Sequence, residues 1–129
     1  MPCTISIDDS HVTISPTGEL SASQVVEIVH AHYPTLGQRG VLWDMAHADW
    51  SDMSHADFVA IAASTFRIRA FRPSGRTAYL VADRAAYARM WQYLNHAFKF
   101  GVPAEYQVFL DPGEALGWVS GNEGQRREA

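Results

Sequence analysis

Cysteine is nearly absent from this chain of 129 residues: Cys3 is the only one. A single thiol excludes an internal disulfide framework, and a cysteine-based zinc site lacks its ligands. A reducing, cytoplasmic setting is the expectation. No stretch approaches the roughly 20 apolar residues that a membrane helix needs, so no integral membrane segment is expected. The first residues show no basic segment followed by an apolar run, so no secretory leader is expected either. Neither G-x-G-x-x-G nor the P-loop pattern occurs, and no cofactor is expected. No glycine flanks Ser51 or Ser54, and no G-x-S-x-G elbow exists to build an oxyanion hole. Nothing in these patterns supports an enzyme.

Basic residues are scarce in residues 1–60, where Arg39 stands alone against eight acids. Residues 61–100 reverse this, with seven bases (Arg67, Arg69, Arg72, Arg76, Arg84, Arg89 and Lys99) against Asp83. The whole chain carries −4, unlike a nucleic-acid-binding domain, and opposite segments in one small domain fold against each other. Apolar residues at 47% and charged residues at 19% suit one globular domain with a real core.

What is present is a strand–helix alternation. Thr4–Ile7 and His11–Ser15 alternate with period two around Asp8-Asp9-Ser10, which predicts a hairpin. Ser21 or Ser23 caps a helix through His30, and Tyr33-Pro34 stops it. Val41–Trp43 is a continuous apolar run, as in a strand buried on both sides. A second helix starts after Ser54 and runs to about Ala70, ahead of the turn Arg72-Pro-Ser-Gly75. Thr77–Val81 is a strand. Asp83 caps a helix over residues 84–99, which Gly101 and Pro103 end. Tyr106–Leu110 is the last strand, and Asp111 with Pro112 opens a final helix. Ser120–Ala129 lacks a hydrophobic anchor and reads as a loose tail. The order ββαβαβαβα predicts an α/β fold: a central mixed, mostly parallel sheet covered by helices, spanning residues 4–119.

Between Asp44 and Phe58 a phrase occurs twice: Asp-Met, a small residue, His-Ala-Asp and an aromatic. Asp44, Asp49, Asp52 and Asp57 with His47 and His55 are enough donors for a metal ion, but the spacing is not that of a known ligand set. Ser54 with Asp57 has the form of a capping signal, and acids suit a helix start.

Several phrases resemble the SpoIIAA-like, or STAS-like, domains of bacteria. They are Val41-Leu-Trp-Asp44, Arg76-Thr-Ala-Tyr-Leu-Val81, Tyr87-Ala-Arg-Met90 and the closing Val108-Phe-Leu-Asp-Pro-Gly-Glu-Ala-Leu-Gly-Trp118. The resemblance implies the SpoIIAA/STAS-like fold, a relative of lipid-carrying CRAL-TRIO-like folds, and so a small apolar ligand. STAS domains include anti-sigma-factor antagonists switched by serine phosphorylation. Asp52 and Ser54 match the phosphoacceptor pattern of those antagonists, whereas Met53, His55 and Ala56 depart from it.

The second and third helices carry more aromatic surface than one sheet face needs. The excess suits a homodimer, a protein partner or a pocket. The expectation is a non-enzymatic module binding a small amphipathic or lipid-like ligand between those helices. Phe58, Ala62, Phe66, Tyr87, Trp91 and Leu94 would supply the apolar walls and Arg69 the head-group contact. Two alternatives stay open: a phosphorylation-switched regulator with Ser54 as acceptor, and a metal-dependent hydrolase using His47 and His55.

Overall fold

The computed structural model describes residues 3–37, 39–72 and 74–121. The chain opens with β1 (Cys3–Ile7), β2 (His11–Pro16) and a two-residue strand β3 (Gly18–Glu19). Then come α1 (Ala22–His32), β4 (Gly40–Asp44), a second two-residue strand β5 (Ala48–Asp49), and α2 (His55–Arg67). It closes with β6 (Arg76–Leu80), α3 (Arg84–Phe100), β7 (Glu105–Phe109) and α4 (Pro112–Val119). Short 3-10 turns follow α1 at Tyr33–Thr35 and α2 at Arg69–Phe71. The fold is α/β, with a mixed central sheet flanked by helices.

The main sheet runs β1-β2-β4-β6-β7. β1 pairs antiparallel with β2, and the remaining neighbours pair in parallel. The spatial order follows the chain order, so every crossover steps in the same direction. Crossovers of one hand then bring α1, α2 and α3 to the same face. Strand alternation divides the two faces accordingly. Val12, Ile14, Val41, Trp43, Tyr79, Val81 and Val108 pack into the core beneath those three helices. Leu42, Ala78 and Leu80 meet Ala115 and Val119 of α4 on the other face.

Local chemistry explains the helix boundaries. Ser21 and Ser54 each form a reciprocal capping box, with Gln24 and Asp57 respectively. Asp83 and Asp111 accept N–H bonds from the first turns of α3 and α4. α3 stops at Gly101, whose φ of 78° is a left-handed conformation that glycine adopts without a Cβ clash. α2 ends as an α-helix at Arg67 rather than near Ala70, because the chain tightens into the 3-10 turn there.

The pair β3–β5 has no counterpart in the alternation pattern. Gly18–Glu19 lies parallel to Ala48–Asp49, linking two connections beyond the strand ends of β2 and β4. Two residues are too few to show a period. Of the tail at 120–129, residues 122–129 lie outside the described residues.

Candidate functional site

A half-open apolar cavity of about 60 Å³ lies between the sheet and the α1–α2–α3 layer. Its floor is the helix-facing row of the sheet: Trp43, Thr77, Tyr79 and Tyr106. Val25 and Val29 of α1 form one wall, Phe58, Ile61 and Thr65 of α2 the roof, and Met90 and Tyr93 of α3 the opposite wall. One end is shut by Met45, Trp50 and Met53, which follow the carboxyl end of β4 and are all buried. At the other end the lining becomes partly exposed: Thr65, Ile68, Arg69, Val102, Pro103 and Tyr106. The mouth therefore lies at the amino ends of β6 and β7. Open α/β sheets hold ligands at carboxyl ends where strand order reverses; here it never does.

Polar groups collect toward the mouth. Arg72 is 5% exposed and lines the cavity. Its guanidinium donates to Thr77 Oγ1 at 2.8 Å, to the Arg76 carbonyl at 2.7 Å and to the Arg39 carbonyl at 3.4 Å. Its Nε is buried without an acceptor. The one ion pair among the described residues is Arg76–Glu105 at 3.1 Å, so Arg72 has no carboxylate partner there. The Tyr33 ring lies 5.8 Å from the guanidinium carbon. Tyr33 Oη accepts the Trp43 indole N–H at 3.0 Å, and its own proton meets no acceptor among the described residues.

Tyr79, Tyr93 and Tyr106 complete the group. The Tyr79 and Tyr93 rings meet edge to face with centroids 6.2 Å apart, and Tyr106 Oη donates to the Val102 carbonyl at 3.0 Å. Burial pushes the phenols of Tyr33, Tyr79, Tyr93 and Tyr106 above their ordinary range, because a phenolate in an apolar wall would be desolvated. All four remain neutral hydroxyls. The arrangement offers donors and apolar walls; among the described residues no nucleophile–base pair lines the cavity.

Of the residues expected from sequence, Phe58 and Arg69 line this cavity. Ala62 and Leu94 are fully buried in the core beside it and do not line it. Phe66 lies under the exposed Arg69, whose guanidinium carbon sits 3.9 Å from the ring centre, and Arg69 also donates to the Phe66 carbonyl. Tyr87 and Trp91 stack edge to face with centroids 6.5 Å apart, away from the cavity. The hollow thus lies beneath α2, against the sheet, rather than in the seam between α2 and α3.

The repeated phrase splits by residue type. Met45 and Trp50 of the first copy, and Met53 and Phe58 of the second, are buried and line the cavity. His47, Asp49, Asp52 and His55 are exposed. His55 Nδ1 lies 3.2 Å from His96 Nε2 of α3. Among the described residues no three His, Cys, Asp or Glu side chains come together to hold a metal ion. Ser54 spends its hydroxyl on the α2 cap, opposite the Asp57 carboxylate.

Sequence reasoning passed over Arg72, Tyr33, Trp43, Tyr79, Tyr93 and Tyr106. A usable signal existed: Tyr79 and Tyr106 occupy the strand row beneath the helices. A phenol facing inward places a polar tip in an apolar layer.

No protein-family model matches the chain, and a search of curated proteins finds no match.

Proposed function

We propose that this chain is a non-enzymatic binding module whose guest occupies the cavity beneath α2. The carrying observation is the half-open hollow itself: apolar walls, one sealed end and one mouth. Protein interiors are close-packed, and a void among large side chains forfeits contacts that a guest would restore. The STAS-like phrases of the sequence agree with a binding or regulatory role of this kind.

Size limits the guest. An engineered cavity of about 150 Å³ takes benzene, whereas this one measures about 60 Å³. A small molecule fits; a long acyl chain requires Met45, Met53 and Met90 to move, which unbranched thioethers do readily. The phosphoswitch and hydrolase readings have less support, since Ser54 is engaged in its cap and His47 stands apart on the surface. The homodimer expected from the aromatic excess rests on Tyr87, Phe98 and Phe100, which are exposed on α3.

Xenon tests the hollow without presuming any ligand. Crystals pressurised with the gas are expected to show a xenon atom among Val29, Phe58, Tyr79 and Met90. Anomalous maps with no site there would end this reading.

A further inference from the structure

We propose that the guest is a small monocarboxylic acid whose carboxylate meets Arg72 and Tyr33 and whose apolar end points toward Met45, Trp50 and Met90. This rests on the cavity reading above and names its ligand class.

Arg72 carries the argument. Buried guanidinium groups are ordinarily matched by a carboxylate, because a lone charge in an apolar interior is costly. Here the guanidinium is 5% exposed, has only neutral oxygens as partners among the described residues, and keeps Nε without one. Carbonyl and hydroxyl oxygens hold it in place but leave its charge unbalanced. Gly75 fits this placement: a Cβ there would come within 3.0 Å of the terminal guanidinium nitrogen. The second donor is the Tyr33 hydroxyl, whose oxygen is committed to Trp43 while its proton is unspent among the described residues. The Arg72 Nε–H and the Tyr33 O–H offer two donors for the two oxygens of a carboxylate.

The surroundings select within anions. One arginine and an apolar wall suit a monoanion; a phosphate dianion would leave charge uncompensated in the same space. The sealed end is built from Met45, Trp50, Met53 and Phe58, which reward a short apolar body over a second polar group. The volume favours a chain of a few carbons.

Butyrate and its neutral isostere butyramide are the probes, followed by NMR at the Trp43 indole N–H, which bonds directly to Tyr33. Butyrate is expected to shift that resonance saturably and to bind at least tenfold more tightly than butyramide. Arg72→Met should erase the difference while leaving butyramide binding intact. If that variant fails to fold, Tyr33→Phe keeps the ring and removes the proton, and should weaken butyrate severalfold with butyramide unchanged. Equal binding of the two probes to the wild type would overturn the acid and leave the cavity reading standing. So would inorganic phosphate displacing butyrate at equal concentration. Xenon uptake with no response to butyrate would likewise remove the acid alone, whereas a failure of xenon removes both.

Discussion

Trp43 and Tyr33 meet in the interior through a single hydrogen bond of 3.0 Å. Both are almost fully buried, so neither polar atom has water to fall back on. Their pairing satisfies the indole N–H and the phenol oxygen beneath an apolar helix layer. Trp43→Phe keeps an aromatic ring but strands the Tyr33 oxygen. We expect a loss of about 1–3 kcal/mol, the desolvation cost of a buried polar group left unmade. Urea denaturation of the variant checks it; an unchanged midpoint would mean that the bond contributes nothing. The same scale explains Arg69, which sequence spacing placed beside Phe58 and Ala62. An arginine near a helix end reaches outward along its aliphatic stem, and this one lies over Phe66 with its charge in solvent.

At the scale of elements, α4 is the sole helix on its face of the sheet among the described residues and depends on close approach. Gly40 opens β4, and a Cβ there would collide with the Val119 backbone carbonyl at the end of α4. Gly40→Ala therefore must push α4 outward or bend β4. We expect destabilisation of about 1–3 kcal/mol, the range for overpacking a tight site. Native-state hydrogen exchange should show it first in the amides of α4; protection equal to wild type would refute the close contact. Elements of this kind were readable from sequence wherever a local rule acts alone. Ser54, Asp83 and Asp111 set helix starts, Gly101 sets a helix end, and His11–Ser15 alternates as a strand should. The cavity was not readable, because it is assembled from six separate elements and no local spacing reports it. The repeated phrase shows the difficulty. Its histidines and aspartates attract notice as chemistry, yet His47, Asp49, Asp52 and His55 face solvent and Asp57 serves a helix cap, while its methionines and aromatics shape the hollow. Arg72 sits in a turn signal, and only the fold reveals that this turn tucks its side chain inside.

For the whole molecule, the buried phenols set a limit in alkali. Tyr33, Tyr79, Tyr93 and Tyr106 have their pKa values raised by burial, whereas an unfolded chain releases phenol protons near pH 10. Above that pH the unfolded state binds fewer protons than the folded state, so stability falls as pH rises. Below it the contribution is fully present. Absorbance of tyrosinate followed alongside near-ultraviolet circular dichroism should show these groups ionising together with loss of the fold, not before it. Smooth ionisation of all the tyrosines in a chain still folded would contradict their burial.

The position of the mouth at the amino ends of β6 and β7 gives the charge segregation of the sequence a direction in space. Glu19, Asp44, Asp49, Asp52, Asp83 and Asp111 outnumber Arg84 and Arg89 around the carboxyl ends of the strands, while Arg39, Arg69, Arg72, Arg76 and Lys99 outnumber Asp8, Asp9 and Glu105 at the opposite rim. The molecule is thus electrically polarised along its strand axis. A negatively charged solute diffusing nearby is repelled at one pole and drawn toward the other, where the entrance lies. Dissolved salt flattens that gradient, so the acid proposed as guest would be captured more slowly at high ionic strength with its bound contacts unchanged.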